Sequence, residues 1–381
     1  MGVKRRIIAI FIRLLLNLNM TKTIRRVIFY SLCAVFLILT PLVIFYAQGF
    51  TFDWRTRQVV KTGGLYLKST PPKAAIFING METKKTPYLF SHLVPQNYDL
   101  KIEMDGYYPW EKNLEVKPEL VTEARNIFLL SKNPLTELLA KNVTSTIPVF
   151  LSSSEEKKKE IQARKTASSS AAWILKDNKI YFISEMNYNL HKTNLTFFPN
   201  NQEQISQEPL PEKGNFKILA GPNQNQIAVL SQKNNLYLFN NASRTFELLS
   251  SSVIQAQFSD DGKRLLYSSG NEIWVLYLED ILLQPYKKAG EKELITRFAQ
   301  NISQTLFFPD NEHVAFVAGD QIKVIELDGR GRRNLVDWLT APAPQIYFDT
   351  KNEFFYFLTG NKLFRIKIKT IFLSDIGSSI Y

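Results

Sequence analysis

The second half of the chain repeats one pattern five times, and this repeat restricts the possible folds more than any other feature. Each copy has a polar turn, a short apolar strand, a second polar turn and another strand. The first strand residues lie 47, 38, 49 and 40 residues apart, at Ile180, Ile227, Leu265, Val314 and Phe354. The mean spacing of 43.5 residues is typical of four-stranded propeller blades. Residues 171–381 are therefore predicted to form a propeller-like array, and the chain is predicted to be mainly β.

A short phrase before several of these strands supports the same prediction. Residues 258–263 read Phe-Ser-Asp-Asp-Gly-Lys, and looser copies occur at 306–310 and 346–349. The phrase resembles the F-S-P-D-G-K signature of TolB-type and WD-repeat propellers, although the Trp-Asp dipeptide of WD repeats is missing. We interpret its aspartates as turn formers, because Asp side chains commonly accept backbone hydrogen bonds in turns; these are Asp260, Asp261 and Asp310.

The length of the repeat region predicts the number of blades. The 251 residues from 131 to 381 would hold about six units of this spacing, and five are legible. The sixth is predicted to come from 131–170, a transition segment or degenerate blade whose charge run EEKKKE indicates a solvated loop. Residues 371–381 are predicted to pack near 146–151 and close the ring. Six blades are favoured, and five blades or an incomplete ring are the alternatives.

An uncharged apolar stretch of 21 residues runs from Val27 to Ala47. As a helix it would rise about 30 Å, enough to span the hydrocarbon core of a membrane. Residues 1–26 hold seven basic and no acidic residues, so this tail is predicted to be cytoplasmic and everything after the helix extracytoplasmic. A cleavable signal peptide is disfavoured, because the apolar run is too long and no A-x-A site follows it. We predict a single-pass protein of the cell membrane, with Met20 as an alternative start to Met1.

Charge and reactive residues exclude several classes of function. The net charge is +12, but the chain beyond residue 26 holds 40 basic and 35 acidic residues, which leaves no concentrated footprint for nucleic acid. The single cysteine, Cys33, excludes an internal disulfide, and His92, His191 and His313 are too far apart for a local metal motif. The sequence contains no nucleophile elbow, zinc-protease helix, Walker A loop or Rossmann glycine pattern. We predict no catalytic residue, no metal and no cofactor.

Residues 63–130, which follow a predicted linker at 48–62, carry dense strand signals. Four apolar residues alternate with charged ones in the pattern of a half-buried strand: Tyr98, Leu100, Ile102 and Met104. An Asn-Gly pair at 79–80 and an Asp-Gly pair at 105–106 are typical of tight hairpin turns. We therefore predict a small all-β sandwich between the membrane helix and the repeats.

This segment resembles the PEGA family. The points of match are Gly64, Ser69 to Ala74, Ile78 to Gly80, Thr86-Pro87, Leu93, Pro95, Tyr98, Gly106-Tyr107 and Trp110. The namesake Pro-Glu-Gly-Ala run stands here as Pro-Pro-Lys-Ala. The resemblance implies an envelope-exposed domain without known catalysis that binds proteins or cell-surface glycans. Tyr107 is the candidate ligand-binding residue, because an exposed aromatic face suits a sugar ring, whereas Trp110 is expected in the core.

These features predict a membrane-anchored extracytoplasmic binding or scaffold protein. Its expected partners are the lipid bilayer and an envelope protein or glycan, and not nucleic acid. Two alternatives stay open: a glycan-active enzyme with its acid and base at the propeller centre, and a purely structural envelope stalk. Two or more buried carboxylates converging at the propeller mouth would favour the enzyme, whereas flat polar faces would favour the stalk.

Overall fold

The computed structural model describes residues 22–166, 170–195, 202–223, 226–350 and 352–368. These ranges contain 29 strands and three helices, so the chain is mainly β as predicted. The described chain divides into two compact units. The first contains the described residues up to Leu65 together with Phe90–Gln96 and Val116–Val121. The second contains Tyr66–Leu89, Asn97–Glu115 and the described residues from Thr122 onward.

Helix α1, Lys22–Ala47, contains the predicted apolar stretch. Within the described residues the helix extends from Lys22, so the basic residues directly before the apolar stretch belong to it. The segment Arg26–Ala47 is long and apolar enough to cross a membrane. Its length and composition are therefore those of a membrane anchor or a signal sequence.

The predicted linker at 48–62 is instead a hairpin of strands β1 (Phe50–Asp53) and β2 (Gln58–Lys61). Gly49 takes a φ of +80° between the helix and β1, and its carbonyl accepts a hydrogen bond of 2.7 Å from the Thr62 backbone. Asp53 organises the turn, because its carboxylate accepts from the Arg55 backbone at 2.9 Å and from the Thr56 hydroxyl at 2.8 Å. Such Asp-centred turns favour a hairpin over an extended chain.

Seven strands form the small β domain, which occupies the region predicted as a sandwich: β3 (Gly63–Thr70), β4 (Ala75–Ile78), β5 (Met81–Lys85), β6 (Tyr88–Leu93), β7 (Gln96–Glu103), β8 (Trp110–Val116) and β9 (Val121–Phe128). They make two sheets with the orders β6-β3-β9 and β5-β4-β7-β8. The predicted alternation is confirmed for Tyr98, Leu100 and Ile102, which are buried, whereas Met104 lies beyond the end of β7 and is half-buried. The Asn79-Gly80 turn has the two positive φ angles, 50° and 82°, that a tight hairpin requires.

Five antiparallel sheets of four strands follow, and we number them blades 1–5. Blade 1 contains β11 (Ser170–Lys176), β12 (Lys179–Ser184), β13 (Leu190–Asn194) and β14 (Glu203–Gln204). Blade 2 contains β15 (Phe216–Ala220), β16 (Ile227–Ser231), β17 (Leu236–Asn240) and β18 (Thr245–Ser250). Blade 3 contains β19 (Gln255–Phe258), β20 (Arg264–Ser268), β21 (Glu272–Tyr277) and β22 (Lys292–Arg297). Blade 4 contains β23 (Ile302–Phe307), β24 (His313–Ala318), β25 (Gln321–Glu326) and β26 (Leu335–Thr340).

Blade 5 is built from two distant parts of the chain. It contains β27 (Gln345–Asp349), β28 (Phe354–Thr359) and β29 (Lys362–Lys367), and its outermost strand is β10 (Thr136–Lys141), which pairs antiparallel with β29. Each of the five predicted repeat markers lies in the second strand of its blade. The first strands of neighbouring blades contact one another from β11 to β27. The sequence leaves open six blades or five, and the described residues form five.

The segment 131–170, expected to supply a sixth blade, contributes β10 and two helices, α2 (Ile147–Leu151) and α3 (Ser154–Thr166). Ile147 joins a buried cluster of blade 5, and Ala163 joins one of blade 1. The charge run is therefore a helix and not a loop. A capping box explains its start, because the Glu156 backbone donates to Ser153 Oγ at 3.1 Å and the Ser153 backbone donates to Glu156 Oε2 at 2.9 Å. Residues 371–381, which were predicted to pack near 146–151, lie outside the described residues.

Candidate functional site

The small β domain contacts the propeller along one edge, which we call the docking edge. In blades 3 and 4 this edge is formed by the turns between the first and second strands and between the third and fourth strands. Antiparallel consecutive strands place these turns on the same side of each sheet. The contacts come from strands β8 and β9 of the domain and from the residues beside them. This junction gathers most of the buried charge of the described chain.

A buried ion pair lies at the centre of the junction. Strand β8 alternates buried and exposed residues, and this places Lys112 on the same buried face as Trp110. The Lys112 ammonium lies 2.5 Å from Glu326 Oε1, and the two side chains are 0% and 4% exposed. The indole N–H of Trp110 donates to Glu326 Oε2 at 2.9 Å. Glu326 ends strand β25, so one propeller carboxylate binds two neighbouring side chains of the small domain.

Backbone contacts extend this pairing along β8. The Asn334 backbone and side-chain amides donate to Glu326 Oε1 at 2.7 and 2.9 Å. Asn334 also exchanges two hydrogen bonds of 3.0 Å with the backbone of Glu111. Gly331 leaves no room for a side chain, since a Cβ there would lie 2.9 Å from the Asn113 carbonyl oxygen. The loop before β26 is therefore shaped to follow the β8 backbone closely.

A second group of contacts involves β9. The Arg330 guanidinium donates to the Glu123 carbonyl oxygen at 2.7 Å and to Gln284 Oε1 at 3.1 Å. The same Gln284 oxygen accepts from the Glu123 backbone at 3.0 Å. The Asp328 carboxylate holds Arg330 in place through an ion pair of 2.7 Å between Oδ2 and the guanidinium. Strand β9 is thus bound by side chains from blades 3 and 4.

Apolar packing completes the junction. The ring of Phe128 meets the ring of Phe308 edge to face, with 5.1 Å between centroids. Phe128, Tyr108 and Leu130 belong to the cluster that forms the core between blades 4 and 5. The Trp338 indole, 4% exposed, donates to the Ser131 carbonyl oxygen at 3.3 Å. The domain and the propeller therefore share one continuous core on this side.

Several carboxylates converge at this junction, Glu326 buried and Glu312 and Asp310 partly buried, and each has a cationic partner. Glu312 Oε1 lies 2.6 Å from Arg264, and Asp310 Oδ2 lies 2.7 Å from His313 Nδ1. Glu312 and Glu326 both line a cavity of about 20 Å³, which is enough for about one water molecule. A space for one water molecule is far too small for a sugar ring. The carboxylates are therefore arranged for a structural junction and leave no room for a sugar ring between them.

Asp261 and Asp310 of the repeated phrase act as the turn formers that we predicted, whereas at Asp260 it is the backbone that takes part, donating to Asn311 Oδ1 at 3.2 Å. Asp261 accepts a hydrogen bond from the Lys263 backbone at 3.0 Å. Asp310 accepts from the backbones of Glu312 at 2.9 Å and His313 at 3.1 Å. Their second oxygens bind Arg264 and His313, so the same turns also position the charged groups at the docking edge.

We expect the stability of the protein to fall as the pH rises toward neutrality. Burial raises the pKa of Glu312 from 4.5 to about 7, against the opposing effect of Arg264. Burial lowers the pKa of His313, but the Asp310 carboxylate outweighs it, and the net shift from 6.5 is upward. Both groups hold a proton more tightly in the folded state. Their contribution is therefore complete below the ordinary pKa values and is lost as the pH rises through the folded ones.

Denaturant unfolding of the full chain between about pH 5 and pH 8 would measure this loss, which should be on the order of 2 kcal/mol. Glu312→Gln should remove the part of this stability loss that occurs between pH 4.5 and about 7. The part of the pH dependence that belongs to His313 should remain. An unchanged pH profile in the Glu312→Gln protein would contradict the assignment of the acidic part to this carboxyl group.

The described chain has an open polar pocket of about 180 Å³ between blades 1 and 2, on the same edge as the junction. Its lining comes from the β11–β12 turn and the β15–β16 turn: Lys176, Asp177, Lys179, Tyr181, Ala220, Gly221, Pro222, Asn223, Gln226 and Ile227. The lining offers ammonium, amide and carboxylate groups within one concave surface. Such a mixture of donors and acceptors suits a hydroxyl-rich or zwitterionic ligand. We call this the blade 1–2 pocket.

The residues singled out in the sequence lie in different places. Tyr107 is half-buried, and its backbone bridges to Ser131. Trp110 is 3% exposed, but its indole lies at the junction and binds the propeller. The described residues contain no group of three or more His, Cys, Asp or Glu side chains that could hold a metal ion. Sequence reasoning missed Lys112 and Glu326, and the available signal was a lysine on the apolar face of a strand.

Residues 62–127 match the model of the PEGA domain. The chain contains a PEGA domain. Its match covers the small β domain from β3 to β9, and the PEGA domain is therefore the part that binds the docking edge of the propeller. The comparison with curated proteins gave no match.

Solved structures similar to the chain include several propellers at low sequence identity. TolB from Acinetobacter baumannii has 14% identity and a TM-score of 0.31, with 72% of this chain and 60% of that chain covered. A putative TolB from Agrobacterium tumefaciens has 16% identity and a TM-score of 0.34, with 48% and 66% covered. The propeller domain of Cps50 (Swd1) from Myceliophteria thermophila has 9% identity and a TM-score of 0.37, with 76% and 87% covered. The chain spans about two thirds or less of the two TolB structures.

Proposed function

We propose that the chain is a single-pass membrane protein whose PEGA domain and propeller form one extracytoplasmic binding unit for an envelope protein or glycan. The seven basic residues of the first 26 support a cytoplasmic N-terminus, because such residues resist translocation. The apolar length of α1 supports an anchor. The match to the PEGA domain supports an envelope location.

The observation that carries the proposal is the blade 1–2 pocket, which lies on the same edge of the propeller as the PEGA junction. Its two turns present Lys179 and Asn223, side chains that can bind hydroxyl and carboxyl groups, while Gln226 donates to the Gly262 carbonyl oxygen at 2.7 Å. The junction uses its own charged groups to hold the PEGA domain, so they are not available for a ligand. Recognition by the propeller therefore falls to the open pocket.

This arrangement favours binding over the two alternatives. A glycan-active enzyme needs two carboxyl groups with space for a sugar between them. The carboxylates that converge at the junction are paired with Lys112, Arg264 and His313 around a cavity of about 20 Å³. A purely structural stalk does not need a concave pocket of mixed charge. The proposed role is thus non-catalytic.

A photo-crosslinking residue at Asn223 tests the binding role on intact cells. Asn223 is exposed in the pocket, whereas Leu248, 58% exposed on the outermost strand of the same blade, is a matched control site. We expect a discrete adduct from position 223 and none from position 248. Equal labelling from both positions, or no adduct from position 223 in cells that carry the protein, would contradict a partner at this pocket.

Protease added to intact spheroplasts tests the orientation independently. We expect digestion of the chain beyond residue 50 and protection of the basic tail. Protection of the PEGA domain and the propeller would reject the extracytoplasmic location, whatever the crosslinking result.

A further inference from the structure

The hairpin after α1 has one apolar face. Phe52 lies directly opposite Val59, so both side chains point to the same side of the hairpin, and Phe50 and Lys61 form the next pair on that side. The Trp54 ring contacts the Phe52 ring edge to face at 4.8 Å. The exposed fractions are 41% for Phe52, 58% for Val59 and 85% for Trp54. We call these residues the hairpin face.

The opposite side of the hairpin differs in polarity and burial. It carries Thr51 and Asp53, which pair with Val60 and Gln58. Asp53 is 8% exposed and is engaged in the turn. The large apolar side chains are therefore gathered on the exposed side, which is the reverse of the usual arrangement in water.

The hairpin face continues the surface of α1. The Phe45 ring of the last helical turn meets the Phe50 ring edge to face at 5.4 Å. Beside this contact, Tyr46 of the same turn stacks on His92 at 4.7 Å with an angle of 6° between the ring planes. Phe45 and Tyr46 are themselves 51% and 61% exposed. Aromatic side chains thus follow one another on one side of the chain from the last turn of the apolar helix to Trp54.

Chain length places this surface close to the membrane boundary. Strand β1 begins three residues after Ala47, and three residues reach at most about 10 Å. The headgroup layer on each side of a bilayer is about 5–7 Å thick. If α1 spans the hydrocarbon, β1 must begin within or beside that layer. Aromatic side chains are enriched at this depth, because their rings are apolar and their edges polar.

The charges of the hairpin fit a phospholipid surface. Arg55 and Arg57 are exposed on either side of the turn that follows Trp54. The Lys61 ammonium lies 5.6 Å from the centre of the Phe50 ring and also pairs with Glu119. Arginine beside an aromatic ring binds lipid phosphates while the ring enters the acyl boundary. An isolated two-stranded hairpin is marginal in water, so such a surface would also stabilise it.

We propose that the hairpin face is a membrane-contact surface, which inserts Phe52, Trp54 and Val59 at the lipid headgroup boundary next to the exit of α1. The inference rests on the proposed anchor function of α1 and assigns a lipid ligand to a segment beyond it. A protein partner or a second copy of the chain on the same face is the competing outcome.

Tryptophan fluorescence of the full chain in nanodiscs tests this surface. The discs contain phosphatidylcholine and phosphatidylglycerol brominated near the glycerol end of the acyl chains, since bromine quenches indoles that it contacts. The chain has five tryptophans, and the difference between the natural protein and Trp54→Phe isolates the signal of Trp54. Trp54 is 85% exposed, so the substitution should leave the fold intact. We expect the Trp54 signal to lose most of its intensity in the brominated discs.

Acrylamide in the aqueous phase separates the outcomes. Quenching of Trp54 by acrylamide, and not by brominated lipid, would mean a water-exposed hairpin and would overturn the proposal. Protection from both quenchers would mean a protein or second-copy contact and would overturn it too. Alkaline carbonate extraction of native membranes tests the anchor separately. A retained protein with unquenched Trp54 rejects this inference alone, whereas an extracted protein rejects the anchor as well.

Discussion

Replacing Glu326 by alanine is expected to lower the free energy of unfolding of the full chain by about 3–5 kcal/mol, because it leaves the buried Lys112 ammonium without its main counter-ion. Lys112 is 0% exposed at the side chain, and its remaining acidic neighbour, Asp328, lies 3.8 Å away. The Trp110 indole and the Asn334 amides lose their acceptor in the same substitution. Chemical denaturation monitored by circular dichroism would measure the change.

Two further variants separate charge from packing. The double variant Lys112→Met/Glu326→Leu should be much less destabilised than Glu326→Ala, since it removes both buried charges together. Glu137→Ala serves as the matched control, because Glu137 pairs with Arg365 at side-chain exposures of 64% and 33%. Exposed pairs contribute about 0–1 kcal/mol. A Glu326→Ala effect no larger than that of Glu137→Ala would mean that the junction does not stabilise the protein.

The strand pattern could be predicted from the sequence because local rules determine it. Alternation in β7, the Asn-Gly turn and the spacing of Ile180, Ile227 and the later repeat markers all depend on residues close in the chain. The capping box of Ser153 and Glu156 was also a local signal, and the high charge of that segment obscured it. Composition thus misled where capping geometry would have predicted a helix.

The junction could not be predicted in the same way. Glu326 follows Lys112 by 214 residues, and neither residue stands in a motif. Trp110 was expected in the core because of its size, and it is buried, but part of its environment comes from the propeller. Burial of a residue can be inferred from periodicity, whereas the identity of what buries it depends on the packing of separate domains.

Proline at both Glu137 and Leu138 is expected to destabilise the propeller by about 3 kcal/mol or more and to promote association of the protein. Strand β10 pairs antiparallel with β29, Glu137 opposite Arg365 and Leu138 opposite Phe364, and the register shifts after Leu138. Alternate residues of an antiparallel strand donate to the neighbouring strand, so two adjacent prolines remove at least one ladder hydrogen bond and distort the pairing. The melting temperature of the full chain in detergent and its size by light scattering would measure both effects.

The association should follow from the edge that the substitution exposes. Without β10, strand β29 becomes the outermost strand of blade 5, and its unpaired backbone can template contacts between molecules. Leu135→Pro is the control, because Leu135 is 91% exposed and precedes the strand. If the double proline variant melts with the control and stays monodisperse, the propeller does not depend on its N-terminal strand for closure. The helices α2 and α3, which pack on blades 5 and 1, would then be the elements that hold the two ends together.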